Sequence, residues 1–204
     1  MLQTQTTLPD LLELLKKIMH EKLFENYFLV GGTALALQIG HRNSIDIDLF
    51  GNNEINIYQF IDKLEEFGEV IVNQSSKNIL ITRTNGIKVD FVNYKYPLLS
   101  NPIEIDSIRM LSKKDISAMK LNAIAGRGSK KDFIDLYFLL QEFSLTEIID
   151  FYCQKYHDGS KFMVIKSLVY FEDADGEEQP KMFKNFDWQE CKRYILEETK
   201  KIPF

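Results

Sequence analysis

Two aspartates separated by one residue, Asp46 and Asp48, stand in the alternating segment 45–49. Successive side chains of a strand point to opposite faces, so the two carboxylates share one face, with Cα atoms roughly 6.5–7 Å apart. Carboxylates this close repel each other unless a divalent cation lies between them or one of them is protonated. The spacing therefore indicates a site for a hard cation.

A glycine pair and a threonine, Gly31, Gly32 and Thr33, precede this strand and open the helix-like segment 34–39. Glycine lets backbone amides approach a phosphate without an intervening Cβ, and a helix N-terminus attracts anions. Amides, a hydroxyl and a carboxylate pair together favour a ligand that carries both phosphate and metal. The alternative is a glycine turn followed by a solvent-facing strand with two incidental aspartates.

A third acidic residue, Asp90, interrupts the apolar alternation of segment 87–93. A buried carboxylate without a partner is costly, or its pKa rises until the group is neutral. Asp90 therefore needs a partner or a metal ion. The alternative to a metal site is that Asp90 lies on an edge strand and pairs with Lys88, two residues earlier, or with solvent.

The elements that must position these residues are short. Apolar spacing predicts helices after Pro9 and at 57–67, and Asn85-Gly86 predicts a two-residue hairpin turn. Strand patterns at 69–73, 78–83 and 87–93 complete a small mixed sheet. The fold class is α+β: a small mixed β-sheet with flanking helices, followed by a C-terminal helical region. We predict the α/β core at 1–106 and the helical region, packed on that core, at 107–204.

Composition narrows the class of protein. With 204 residues and 45% hydrophobic content the chain can build a sizeable core. Its net charge of −5 argues against a protein that coats nucleic acid without sequence preference, because such a protein would be basic. Cys153 and Cys191 are far apart, which favours neither a disulfide framework nor a zinc site. We expect a cytoplasmic protein with no membrane partner, since neither a leader nor a bilayer-spanning run is present in the sequence.

Two segments resemble a known family. GGT, a short helix, His41-Arg42-Asn43-Ser44 and Asp46-Ile47-Asp48 look like the opening motif of DNA-polymerase-β-like nucleotidyltransferases. The fuller string GGTALALQIGHRNSIDIDLF is similar to the AbiEii/AbiGii-type toxin family. The segment from Lys120 to Leu136, a lysine, a basic cluster and then D-x-x-D-L, resembles the second signature of that family.

The resemblance implies the nucleotidyltransferase fold and a set of site residues. Asp46, Asp48 and Asp90 would bind metal, two Mg²⁺ ions, and act in catalysis together with Lys120. On the residues alone, Asp132 would instead be a helix-capping acid and Lys120 a structural charge. The nucleotide-binding residues implied by the resemblance are Gly31, Gly32, Thr33, Arg42, Ser44, Lys120, Arg127 and Asp135.

The function that the resemblance implies is transfer of NMP from an NTP, in a toxin–antitoxin system with a cognate antitoxin protein. The acceptor would be an RNA end, such as that of tRNA, or a protein. One alternative is a small-molecule nucleotidyltransferase of the antibiotic-modifying type, which suits an acidic protein. The other is a non-catalytic nucleotide-binding interaction module, against which the three carboxylates argue.

Overall fold

The computed structural model describes residues 1–202 of the chain. These residues form two compact units: the first comprises residues 1–95 and 102–111, and the second comprises residues 96–101 and the chain from 112 onward. The helical region predicted at 107–204 ends with two residues that lie outside the described part.

The first unit is built on a mixed sheet. Its strands are β1 (Phe28–Leu29), β2 (Ile47–Gly51), β3 (Val70–Ser76), β4 (Ile79–Thr84), β5 (Ile87–Asn93), β6 (Ile103–Ile105) and β7 (Ile108–Met110). In residues 1–202 their spatial order is β3-β4-β5-β2-β1-β7-β6. Strand β2 pairs parallel with β5 and antiparallel with β1. The sheet is therefore mixed, as predicted.

Local sequence explains the turn and helices of this unit. Asn85 and Gly86, with φ of 50° and 78°, join β4 to β5, since this hairpin turn needs positive φ at both positions. Helix α1 (Pro9–His20) begins with proline. Proline has no backbone N–H, and at the first position of a helix that N–H would have no intrahelical partner anyway. Helix α2 (Gly31–Ile39) follows β1, and α3 (Ile57–Glu65) begins at an Asn56 side-chain cap.

The core of the first unit lies where α1 and α3 cover the sheet. The α1 side chains Leu15 and Ile18 are fully buried. Phe24 packs against Phe60 of α3 and Phe91 of β5, with ring centroids 5.0 Å and 4.9 Å away. Aromatic rings at this separation contribute to stability beyond their buried area, and this packing fixes β5 against α3.

The second unit is helical. Its helices are α4 (Lys113–Gly126), α5 (Lys130–Leu139), α6 (Leu145–Lys155), α7 (Lys161–Ser167), α8 (Glu172–Asp175) and α9 (Trp188–Lys200). Ser112, Ser144 and Ser160 each accept a backbone N–H three residues later, so side-chain caps begin α4, α6 and α7. Helix α4 packs against α5, α6 and α7, and α9 packs against α5.

The α+β fold class is confirmed, with differences at element ends. Strand β2 begins at Ile47 and not at residue 45, and Ile45 is 51% exposed. Residues 103–110 form the β6–β7 hairpin. The acidic segment that begins at Glu172 contains the one-turn helix α8. Among residues 1–202, no helix combines the length and apolar composition needed to span a bilayer.

Candidate functional site

The parallel pairing of β2 with β5 brings the predicted acidic residues together. Asp48 and Asp90 are partners in the register, and their buried neighbours Ile47 and Val89 are the preceding pair. Directly paired residues of adjacent strands point to the same face of a sheet. Asp46 immediately precedes β2, so the three carboxylates lie near the start of β2 and beside the middle of β5.

Lys88 belongs to the same cluster. Its Nζ lies 2.5 Å from Oδ2 of Asp90, whose side chain is only 13% exposed. Burial acts to lower the pKa of Lys88, but the hydrogen bond and charge of Asp90 and the charges of Asp48 and Asp46 raise it overall. The ammonium therefore stays charged and lies in the field of all three carboxylates.

The donor set fits a hard divalent cation. Carboxylate oxygens are the protein ligands that Mg²⁺ prefers, and Oδ1 of Asp90 is buried without a hydrogen-bond partner. In the described part of the chain, no three Asp, Glu, His or Cys side chains are already arranged around a common metal position. The cation found at Asp90 is Lys88.

Gly31 connects the start of α2 to Asp48. Its φ is +68°, and a Cβ added there would lie 2.6 Å from Oδ2 of Asp48. The backbone N–H of Val30, one residue earlier, donates to the backbone oxygen of Asp48 at 2.9 Å. Glycine is therefore required for two reasons: the left-handed conformation and the close approach of a carboxylate.

Polar side chains also lie beside Gly32 and Thr33, the next residues of α2. A Cβ at Gly32 would collide with Nη2 of Arg42, whose side chain is buried. Oγ1 of Thr33 donates to the backbone oxygen of Asp46 at 2.5 Å and lies 2.8 Å from Oγ of Ser44. The start of α2, which adjoins the Asp48 carboxylate, thus also lies beside a guanidinium and two hydroxyls. The helix N-terminus and the guanidinium favour an anion.

The remaining predicted residues lie in the second unit, where they form an ion cluster. Nζ of Lys120 lies 3.0 Å from Oδ1 of Asp132 and 2.6 Å from Oδ2 of Asp135, and both carboxylates are fully buried. Arg127 donates to both oxygens of Asp132, at 2.8 Å and 3.1 Å. The residues of each signature therefore form a cluster within their own unit. The nucleotide-binding role of Lys120, Arg127 and Asp135 stays a prediction.

Two residues make more contacts than the sequence predicted. Asp132, expected as a capping acid, does accept from Ser129 Oγ at 2.8 Å, but it is also the common partner of Lys120 and Arg127. Lys88, considered as a partner of Asp90 only on an edge strand, pairs with it inside the sheet. The spacing of two residues along one strand was the available signal for that pair.

The ion cluster has a testable pH dependence. Burial acts to raise the pKa of Asp132, but Lys120 and Arg127 outweigh it and lower that pKa to about 2. Because the folded-state pKa lies below the unfolded-state value near 4, this stabilisation is complete above about pH 5 and is lost as the pH falls towards 2. Urea unfolding over this range should show wild type losing about 2 kcal/mol more than Asp132→Asn. Parallel pH profiles would contradict the assignment.

Comparisons with known proteins find similar sequences. The family model described as "Nucleotidyl transferase AbiEii toxin, Type IV TA system" matches residues 13–106, a range that includes Asp46, Asp48 and Asp90. The uncharacterised protein aq_aa25 of Aquifex aeolicus is 37% identical over 199 residues, covering 92% of this chain and 93% of that protein.

Two solved structures have a similar fold. MenT4, a nucleotidyltransferase toxin of Mycobacterium tuberculosis, superposes with a TM-score of 0.62 at 13% identity, covering 95% of this chain and 83% of that one. A candidate nucleotidyltransferase of Helicobacter pylori gives a TM-score of 0.59 at 18% identity, with coverages of 93% and 90%. At such identities the likeness concerns the fold.

Proposed function

The chain belongs to the AbiEii nucleotidyltransferase toxin family, and on that premise we propose that it moves NMP from an NTP to an RNA end, such as that of tRNA, or to a protein. The family consists of enzymes that transfer nucleotides. The proposal adds the acceptor class, the dependence on Mg²⁺, a cytoplasmic location and a cognate antitoxin protein as partner. The description of the matching family as part of a toxin–antitoxin system supports the last of these.

The observation that carries the proposal is the pairing of Asp48 with Asp90, with Asp46 one residue before the strand. These three carboxylates would hold Mg²⁺, and the orphaned Oδ1 of Asp90 is suited to that task. Bound Mg²⁺ would supply charge neutralisation for the triphosphate and for the attacking and leaving oxygens. A non-catalytic module would have no need of three neighbouring carboxylates.

The start of α2 would bind the triphosphate. The backbone amides at Gly31 and Gly32 carry no Cβ that would obstruct a phosphate, and the guanidinium of Arg42 lies directly beside Gly32. The hydroxyls of Thr33 and Ser44 hold the backbone that leads into β2. For Lys120, Arg127 and Asp135, family resemblance supports a role with the nucleotide, and within their own unit each already has an ion-pair partner.

Incubation with Mg²⁺ and each α-labelled NTP in turn, against total RNA and against a cell lysate, tests the proposal. We expect label to enter a discrete RNA or protein band with wild type and not with Asp46→Asn. If label enters neither RNA nor protein but is transferred saturably to an aminoglycoside, the acceptor is a small molecule. Tight NTP binding without turnover on any acceptor would contradict the enzymatic function.

A glycine pair offers a matched test of the link between α2 and the carboxylates. Gly31 and Gly40 have the same left-handed conformation, with φ of 68° and 69°, but only at Gly31 would a Cβ meet a carboxylate, that of Asp48. Gly40 faces the flexible side chain of Gln3. We expect Gly31→Ala and Gly40→Ala each to lose about 1–2 kcal/mol of unfolding free energy.

Only Gly31→Ala should also lose transfer activity, measured at a temperature where both variants are folded. The reason is that its new methyl group must displace the Asp48 carboxylate, whereas the methyl group at Gly40 displaces only a glutamine chain. Equal activity in the two variants would show that the position of Asp48 is not coupled to α2.

A further inference from the structure

Lys88 is a cation placed inside a site that fits a metal ion. Its ammonium contacts Asp90 directly, and the charges of Asp48 and Asp46 act on it as well. The register explains this: Lys88 lies two residues before Asp90 on β5, and Asp48 is the partner of Asp90 on β2. Asp90 therefore already has a positive partner, and a second cation at its oxygens would be repelled by the first.

The contact between Lys88 and Asp90 allows the ammonium to be exchanged for another cation. Lys88 is 35% exposed, whereas Asp90 is 13% exposed, so the ammonium can move towards solvent on its flexible stem while the carboxylate stays in the sheet. Only Oδ2 of Asp90 contacts Lys88, and Oδ1 is left without a hydrogen bond. The pair is therefore incomplete, which distinguishes it from a closed structural salt bridge.

We propose that Lys88 is an affinity-determining residue of the carboxylate site, a tethered ammonium that occupies Asp90 in the nucleotide-free protein and that a divalent ion must displace. The inference rests on the proposed function because it takes Asp46, Asp48 and Asp90 as the metal site. Its consequence is weak binding of divalent ions to the protein alone. Entry of metal with a nucleotide relieves this restraint, because the triphosphate offers the displaced ammonium a new anionic partner.

The fold supplies a matched control on the neighbouring strand. Arg83 of β4 is the register partner of Lys88 across the β4–β5 pair, so it carries the same charge on the same face. Its guanidinium donates to the backbone oxygen of Gly86. Replacing Arg83 changes the long-range field at the carboxylates by one unit charge without removing the contact with Asp90.

The test is direct titration of nucleotide-free protein with Mn²⁺, followed by calorimetry and by electron paramagnetic resonance of the free ion. We expect Lys88→Met to bind Mn²⁺ about tenfold more tightly than wild type, since a charge-assisted contact is lost and the carboxylate becomes available. Lys88→Arg should restore weak binding. Arg83→Met should remain within about twofold of wild type, because the Arg83 side chain is exposed and the high dielectric constant of water weakens its influence on the carboxylates.

A second variant guards against a folding artefact. Lys88→Gln keeps the polar end without the charge and should also tighten Mn²⁺ binding, and thermal unfolding will show that each variant is folded. Adding Asp90→Asn to Lys88→Met should remove the gain. Equal Mn²⁺ affinity in wild type, Lys88→Met and Lys88→Gln would overturn the proposal, as would the absence of Mn²⁺ binding in all three. Neither result depends on nucleotide transfer, which the labelled-NTP experiment assesses separately.

Discussion

Asp48→Asn is expected to lose nucleotide transfer by about 10³-fold or more, because removal of groups that merely support metal ligands already costs 10–100-fold. Asp48 is the register partner of Asp90, and its Oδ2 lies against the start of α2. The amide of asparagine has nearly the same shape but carries no charge, so it cannot offset the positive charge of a bound ion. Asp46→Asn should have an effect of the same order.

Neither substitution should reduce the unfolding free energy appreciably, since the attraction to Lys88 that is lost is offset by the repulsion between carboxylates that is relieved. Asp62→Asn is the control, because Asp62 is an exposed aspartate of α3 in the same unit. Transfer rates are measured with the labelled NTP that wild type uses best, and urea unfolding is measured in parallel. Full activity in both Asp46→Asn and Asp48→Asn would exclude the carboxylates from the chemistry.

Local sequence was sufficient to single out this pair of carboxylates. The alternation of residues 45–49 predicts a shared face for Asp46 and Asp48 from strand geometry alone. Because β2 begins at Ile47, two residues later than expected, Asp46 lies just outside the strand and the shared face stays a prediction. The turn at Asn85-Gly86 was predictable from local sequence as well, because positive φ at two successive residues strongly selects those residue types.

The pairing of β2 with β5 could not be obtained from local patterns. Strands β3 and β4 lie between them in sequence, and nothing in residues 47–51 selects Val89 rather than another apolar residue as the partner of Ile47. The third carboxylate was therefore predicted from its context in the strand and from family resemblance. The same pairing places β5 inside the sheet, so the Lys88–Asp90 contact is not the edge-strand contact that the sequence suggested.

The second unit shows why charged residues on helices were harder to assign. Asp132 and Asp115 both stand three residues after a serine that begins a helix, a spacing typical of capping. The structure gives both a further role as fully buried partners of lysines, Lys120 and Lys155. Helix packing decides that burial, and a helical repeat alone does not reveal which charged face will be covered.

Lys155→Met is expected to reduce the unfolding free energy by about 3–5 kcal/mol, the usual cost of breaking a buried pair from one side. Nζ of Lys155 lies 2.8 Å from Oδ1 of Asp115 and donates to the backbone oxygen of Pro97 at 2.7 Å, and both charged side chains are fully buried. Methionine fills a similar volume, so the loss reports the uncompensated carboxylate and not a cavity.

Asp115 has further partners that make its own removal costly. It accepts from the backbone N–H groups of Leu99 and Ser100 and from Ser112 Oγ, so Asp115→Asn should cost about 3–5 kcal/mol as well. The double variant Asp115→Asn/Lys155→Met should lose less than the sum of the two single variants, since neither charge is left alone. Urea unfolding of the four proteins at neutral pH measures this coupling. Additive losses would mean that the two residues stabilise the unit independently of each other.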